Sequence, residues 1–253
     1  CGENVIKNTQ ARKTKTKKVE KRKIIVFIIM LRNMCTLLTC GKKKEKIAKK
    51  VGRQEKSKKY TKFSKVILAS SSEVRNKLLK QYFSHVVNVP HNVEEEKYKR
   101  QKSPPDEIAL RIAKEKALSV LENYPNEIII ASDQILVCEN KVMSKPKSLE
   151  DATKKLLFLR NKAHELYSSI YVIKRGKFYF QEVKVALLFF ANITQKDIEL
   201  YVKNNKNTAL TTVGSYKIEE NSKYKFLRVI EGDQETILGF PIQDLIKKIK
   251  NEK

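Results

Sequence analysis

Three serines and an arginine follow an apolar run in the stretch VILASSSEVRNKLL (residues 66–79). The run VILA is typical of a buried strand, and Ser72 can cap a helix that begins at the next residue. Such a turn points free backbone N–H groups and the positive end of the helix dipole at one place. The hydroxyls of Ser70 and Ser72, with Arg75 behind them, therefore predict an anion pocket, and phosphate is the anion that fits best. Alternatively, Ser72 only caps the helix and Arg75 is a solvated surface residue.

A carboxylate, Asp133, follows several apolar residues in the run EIIIASDQILV (residues 127–137). An uncompensated carboxylate in a buried strand is costly, so it needs a cation or a water to act on. Asp133 is therefore a candidate metal ligand or general base. Lys116, in AKEKA, and Lys145, in the tripeptide SKP, are candidate companions of the anion pocket, although each alone is typical of a surface charge, and Glu94–Glu96 alone are typical of a solvated run.

These residues lie in an alternation of strand and helix patterns that predicts an α/β fold with a mixed sheet. Strands are predicted at 66–69, 86–89, 127–137, 165–173, 177–190, 213–218 and 226–232, the fourth and fifth forming a long antiparallel hairpin around Gly176. Helices are predicted at 73–83, 104–124, 148–161, 194–204 and 241–250.

The formal net charge of +26 is unevenly distributed along the 253 residues. Residues 1–65 hold 22 Lys and Arg against 4 Asp and Glu, whereas the remaining 188 residues hold 32 against 24. We therefore predict a basic, disordered or non-native extension over residues 1–64 and a single domain over residues 65–253. A nucleic-acid partner is expected only if that extension is genuine.

The composition also restricts the compartment and the class of protein. The apolar run at residues 24–31 is shorter than the roughly 20 residues that span a bilayer, so no membrane association is expected. Four scattered cysteines form neither a disulfide framework nor a zinc quartet, and a reducing cytoplasm fits them best. The sequence also lacks the glycine-rich loop of P-loop proteins.

The order of the motifs resembles the Maf family of nucleotide pyrophosphatases. The sequence presents S-x-S-x-x-R, an acidic pair some twenty residues on, a helix that matches L-A-x-x-K-A in the form IAKEKA (112–117), A-S-D at a strand, then K-P, and near the end VGSYKIEE (213–220) and IEGDQETILGFPI (230–242). The resemblance covers residues 66 to about 249 without a large gap. Several ordered motifs are a more specific signal than any one of them.

The resemblance implies a fold of the inosine-triphosphate-pyrophosphatase type, with an elongated mixed sheet and a cleft between two lobes. It implies hydrolysis of a nucleoside triphosphate between the α and β phosphates, and a homodimer as the assembly. By matching positions, the residues that would hold the triphosphate are Ser70, Ser72, Arg75, Lys116 and Lys145. Glu95 and Asp133 would bind a divalent cation, Mg²⁺ or Mn²⁺, and Asp133 would accept the proton of the attacking water.

Departures from the family pattern bear on the choice of base. Gln134 and Glu219 resemble the subfamily that prefers 7-methyl-GTP, in contrast to the one that takes dTTP and UTP. A carboxylate can accept hydrogen bonds from the N1–H and N2–H edge of guanine, and the methylated purine is cationic. Glu219 would therefore favour 7-methyl-GTP both by hydrogen bonding and by charge attraction. Alternatively, Glu219 is a surface residue that differs from the family pattern without a role in binding. Glu220 replaces a glycine of the family, which leaves the conformation of that turn open.

A second class of function stays open at this point. The chain could be a basic nucleic-acid-binding or cell-division regulatory protein built on a catalytically inactive Maf-like domain. Retention of Ser70, Arg75, Lys116, Asp133 and Lys145 favours the enzyme, because an inactive module has no chemical need for all five.

Overall fold

Seven strands form one mixed sheet in the computed structural model, which describes residues 65–252. The predicted extension over residues 1–64 lies outside the described residues. The strands are β1 (Val66–Leu68), β2 (Val86–Asn88), β3 (Ile128–Cys138), β4 (Lys141–Met143), β5 (Lys162–Lys174), β6 (Lys177–Phe190) and β7 (Leu227–Glu231).

Nine helices and one 3₁₀ turn accompany the sheet within the described residues. The helices are α1 (Glu73–Lys80), α2 (Glu95–Lys99), α3 (Pro105–Leu118), α4 (Leu149–Leu159), α5 (Gln195–Asn204), α6 (Lys206–Thr211), α7 (Asn221–Tyr224), α8 (Gln234–Ile237) and α9 (Gln243–Asn251), and the 3₁₀ turn is Ile218–Glu220.

The strand order is β2-β1-β3-β5-β6-β7, with β4 paired to β3. β2, β1 and the first half of β3 run parallel, whereas β3, β5, β6 and β7 pair antiparallel. The long pairing of β5 with β6 closes at Arg175 and Gly176, both with positive φ, as a two-residue hairpin turn requires. The expectation of an α/β fold with a mixed sheet is confirmed.

Both faces of the sheet are covered where β1 and β3 pair, which explains their nearly continuous apolar sequences. Val66 and Leu68 pack into a cluster with residues of α1 and α9, while Ile67 packs on the opposite face with residues of α3. A separate cluster surrounds Phe190 and joins β5 and β6 to α4, α5 and α6. The functional residues lie where β1 and the middle of β3 meet the edges of these clusters.

Three predicted elements need correction. The predicted strand 213–218 is wrong, because Ser215 has φ of 57° and the chain then enters the 3₁₀ turn. The helix predicted to run to residue 124 ends at Leu118, since residues 119–123 form turns. The helix predicted over 73–83 ends at Lys80. The short helices α2, α6, α7 and α8 were not predicted.

Candidate active site

The turn between β1 and α1 has the capped geometry that its serines predict. The Ser72 side chain accepts a hydrogen bond from the Arg75 backbone N–H at 3.4 Å and so caps α1. The Ser70 hydroxyl in turn accepts from the Ser72 backbone N–H at 3.1 Å. All three residues line a cleft of about 880 Å³. Ser72 is thus both a cap and a cleft residue, so the two alternatives for it are not exclusive.

The Arg75 guanidinium joins the turn to the middle of β3 and to Gly239. Its Nε donates to the Gly239 carbonyl at 3.1 Å, and its Nη1 donates to the Ser132 carbonyl at 2.8 Å. The Ser132 hydroxyl donates to the same Gly239 carbonyl at 2.6 Å. Arg75 is therefore not a solvated surface residue. Two of its donors bind backbone, and its outer nitrogen, Nη2, lies beside Gly239.

At the centre of the cleft, one ammonium group bridges two carboxylates. Lys116 Nζ lies 2.7 Å from Asp133 Oδ1 and 2.7 Å from Glu95 Oε1. The Lys116 and Asp133 side chains are 3% and 5% exposed, so Asp133 has the cationic partner that its buried position requires. Lys116 is not a surface charge. The alternative that Glu94–Glu96 form a solvated run fits exposed Glu94 and is wrong for Glu95.

Two further groups in this cluster were not predicted. Lys99 Nζ contacts Glu95 Oε2 at 3.0 Å and Glu96 Oε1 at 3.1 Å, with only 5% of its side chain exposed. The E-x-x-x-K spacing from Glu95 to Lys99 could have indicated this pair, since residues four apart lie together on a helix. His91 Nε2 lies 3.8 Å from Glu95 Oε1, and its Nδ1 accepts from the Val93 backbone N–H.

The charges of the cluster fix the protonation state of its members. Burial would raise the pKa of Glu95, but the nearby charges of Lys116 and Lys99 lower it below its usual range. Burial, together with the positive charge of Lys116, lowers the pKa of His91 to about 4. At neutral pH the cluster therefore contains an ionised Glu95 and a neutral His91.

Lys145 lies at the exposed side of the cleft, in a segment that is fixed by its neighbours. The Ser144 hydroxyl donates to Glu96 Oε2 at 2.6 Å, and the Ser144 carbonyl accepts from Lys155 Nζ at 2.7 Å. Lys145 is thus presented from a held backbone, while its own side chain reaches solvent. This placement suits a residue that contacts an incoming anion.

Gln134 and Glu219, the residues predicted to read the base, both line the cleft but differ in their freedom. Gln134 Nε2 donates to the Ser168 hydroxyl and to the carbonyls of Thr236 and Ile237, at 3.0 to 3.2 Å. Glu219 lies in the 3₁₀ turn and is exposed. Gln134 is therefore held by β5 and α8, whereas Glu219 is available to a ligand.

Two chemically different sets of residues line the cleft. One set comprises the serine turn and the charged cluster described above, including Lys116 and Asp133. The other set comprises residues of α6 and of the segment 212–220, with the apolar side chains Leu166, Ile237 and Leu238. A ligand with a polyanionic part and a largely apolar ring would match both sets.

The residues present can accommodate a divalent cation. Asp133 Oδ2 is buried without a hydrogen-bond partner, so an acceptor oxygen of this carboxylate is unused. Asp133 and Glu95 supply two carboxylates, and the described residues hold no group of three or more candidate ligands. Mg²⁺ binding through one or two carboxylates plus substrate phosphates fits such a site.

Comparisons with known proteins show the family of this chain. The family model described as Maf-like protein matches residues 65–252. The protein named nucleoside triphosphate pyrophosphatase from Legionella pneumophila (strain Paris) is 33% identical over 190 residues, which cover 74% of this chain and 94% of the relative. A protein with the same name from Rhodopseudomonas palustris (strain BisB18) is 32% identical over 190 residues, with the same two coverages.

The solved structures give a weaker likeness. The Staphylococcus aureus Ham1 protein is 17% identical, with a TM-score of 0.43 over 75% of this chain and 100% of that chain. Among residues 65–252 no helix is long and apolar enough to cross a bilayer. On the family match and the identity to its curated relatives, the chain belongs to the Maf-like protein family.

Proposed function

We propose that this chain is a nucleoside triphosphate pyrophosphatase, which hydrolyses the bond between the α and β phosphates to give a monophosphate and pyrophosphate. The observation that carries the proposal is the Glu95–Lys116–Asp133 cluster beside the capped serine turn, in one cleft. Its curated relatives bear the name of this activity. A triphosphate supplies the several negative charges that such a turn and several cations can compensate.

The roles of the residues follow from their positions. The serine turn and Lys145 bind the phosphates, with the outer nitrogen of Arg75 beside them. Asp133 accepts the proton of the attacking water. The oxygen of that water bonds to phosphorus as the bond to the leaving pyrophosphate breaks. Lys116 holds Asp133 in place by the contact at Oδ1.

A divalent cation, Mg²⁺ or Mn²⁺, would be held by Asp133 and Glu95, where it would offset the charge of the phosphates. The buried, unpartnered Oδ2 of Asp133 supports this assignment. Lys116 already contacts Asp133 Oδ1 and Glu95 Oε1, and Lys99 contacts Glu95 Oε2, so the two ammonium groups and the cation would share the same pair of acids.

For the base, we propose a preference for 7-methyl-GTP. Glu219 is exposed in the cleft and can accept from the guanine edge while its charge attracts the cationic methylated ring. A thymine or uracil ring offers a carboxylate only one donor. The competing candidate is a pyrophosphatase for dTTP and UTP, which the names of the curated relatives do not separate from the first.

The test is product analysis with Mg²⁺ or Mn²⁺ on 7-methyl-GTP, GTP, dTTP and UTP. We expect monophosphate and pyrophosphate from 7-methyl-GTP, and a loss of at least about 100-fold in kcat for Asp133→Asn. The control Asp197→Asn, exposed on α5, should keep full activity. Cleavage mainly of dTTP and UTP would keep the reaction and reject the base assignment. No cleavage of any nucleotide would favour the inactive regulatory protein.

A further inference from the structure

Helix α6 (Lys206–Thr211) places a second set of residues in the cleft, opposite in character to the charged cluster. Asn207, Leu210 and Thr211 line the cleft, and their spacing puts them on one face of the helix. The other face carries Thr208 and Ala209, which are buried against the cluster around Phe190. The cleft face is therefore held by a packed core.

Leu210 is unusual among the exposed apolar residues. Six large apolar side chains are exposed in the described part of the chain, and of these only Leu210, at 37% exposed, lines the cleft. An apolar side chain left open to water in a concave site gains free energy when a ligand covers it. Asn207 is exposed one turn away, and its amide offers both a donor and an acceptor.

Glu220, a departure from the family's glycine, ties this face to the turn that carries Glu219. Glu220 Oε1 accepts from the Thr208 hydroxyl of α6 at 2.8 Å, and Oε2 accepts from the Tyr201 hydroxyl of α5 at 2.5 Å. The cleft face of α6 and the exposed Glu219 are therefore fixed relative to each other. Together they form one wall of the cleft, which consists of the exposed face of α6 and the turn that carries Glu219.

We propose that this wall binds the nucleobase, with Leu210 covering the face of the ring and Asn207 hydrogen-bonding its edge. The assignment rests on the proposed function and extends it to two specificity-determining residues. The side chains of Leu210 and Asn207 take no part in the hydrogen bonds of the charged cluster. Substitutions at these two residues should therefore change binding of the base without changing binding of the phosphates. Glu220 acts as a positioning residue for the same wall.

The experiment uses the full chain and a base-free competitor. KM and kcat are measured for 7-methyl-GTP, GTP, dTTP and UTP, and inorganic tripolyphosphate is titrated as an inhibitor. Leu210→Ala should raise KM for nucleotides roughly tenfold, the loss expected for about two uncovered methylene groups, with little change in the inhibition constant of tripolyphosphate. Alanine is the best helix former, so the substitution leaves α6 intact.

Matched controls lie on the neighbouring helix α5. Leu200→Ala removes the same side chain at a position that is 54% exposed and outside the cleft, and should leave KM unchanged. Asn207→Asp removes the amide donors, so it should shift the ratio of kcat/KM towards guanine nucleotides, whereas Asn204→Asp should not. Glu220→Ala should raise KM like Leu210→Ala, and Glu220→Gln should restore part of the effect.

Two results would contradict the proposal that this wall binds the nucleobase. One is equal behaviour of Leu210→Ala and Leu200→Ala, and the other is a parallel weakening of tripolyphosphate inhibition by Leu210→Ala. Failure of the proposed reaction is recognised separately, because the unmodified protein would then cleave no nucleotide. In that case nucleotide affinity is measured by calorimetry in place of KM. Binding that is weakened by Leu210→Ala would support the assignment of this wall to the nucleobase, and absence of binding would reject it.

Discussion

Replacing Lys116 by methionine removes the charge that Glu95 and Asp133 share while keeping most of the side-chain volume. Both contacts are 2.7 Å, and the three side chains are between 3% and 18% exposed. Removing one partner of a buried ion pair costs about 3–5 kcal/mol. Glu95 would keep Lys99 at 3.0 Å, so most of the cost falls on Asp133, and we expect a loss of about 3 kcal/mol in the free energy of unfolding at pH 7.

The measurement is urea unfolding followed by circular dichroism, with Lys114→Met on the exposed side of α3 as the matched control. The double variant Lys116→Met with Asp133→Asn should regain about 1 kcal/mol or more relative to Lys116→Met, because the unpaired charge is gone. A free energy of unfolding for Lys116→Met within about 0.5 kcal/mol of the Lys114→Met value would refute the bridging role, since exposed substitutions fall in that range.

The pH dependence gives an independent check of the same cluster. Burial would raise the pKa of Glu95, but Lys116 and Lys99 lower it, so its folded value lies below its unfolded value of about 4.3. The resulting stability is present above that unfolded value and is lost as the pH falls towards the folded one. Without Lys116 the loss between about pH 5 and pH 3 should be shallower.

The remaining predictions concern His164 and Gly239. Burial lowers the pKa of His164 to about 3, so the unfolded chain takes up a proton below about pH 6.5 that the folded chain does not, and this group should lower the stability by about 1 kcal/mol from pH 7 to pH 5.5. His91, with its pKa of about 4, should add a similar decrement. In urea titrations at the two pH values His164→Phe should therefore remove about half of the total decrement, and an unchanged decrement would contradict the assignment; it should also cost about 1–3 kcal/mol at pH 7, since Tyr216 loses its hydrogen-bond partner. Gly239→Ala, at φ of +79°, should cost about 1–2 kcal/mol and reduce nucleotide hydrolysis, because the added Cβ would lie 3.2 Å from Arg75 Nη2. Gly176→Ala is the control, because Gly176 also has a positive φ, of +73°, but no atom would lie closer than 3.9 Å to the added Cβ. Equal losses of activity in the two variants would contradict the explanation that the Cβ at residue 239 crowds Arg75.

Local patterns predicted the parts of the fold that local forces decide. The capped start of α1 at Ser72 and the hairpin turn at Gly176 each follow from a short stretch of sequence. The strand predicted over 213–218 failed because an alternating pattern does not reveal a left-handed residue such as Ser215. Nor does it reveal that Tyr216 is held by a buried histidine.

The partners in the site could not be predicted locally. The sequence marked Asp133 as a buried acid that needs a cation, but it did not say which of 54 lysines and arginines supplies it. The packing of α3 against β3 places Lys116 beside Asp133, and the short helix α2 places Glu95 beside Lys116. The resemblance named these positions, whereas the bridge between them is a property of the three-dimensional structure.

The hydrogen bonds to the Gly239 carbonyl affect the order in which the protein folds during synthesis. It accepts hydrogen bonds from Arg75, 164 positions earlier in the chain, and from Ser132, 107 positions earlier. During synthesis from the N-terminus, the serine turn emerges long before the residue that anchors its arginine. Contacts of such separation form late, because the intervening chain must first be ordered. A nascent or truncated chain that stops before residue 239 therefore holds all the charged residues of the cluster but lacks the carbonyl that Arg75 and Ser132 share.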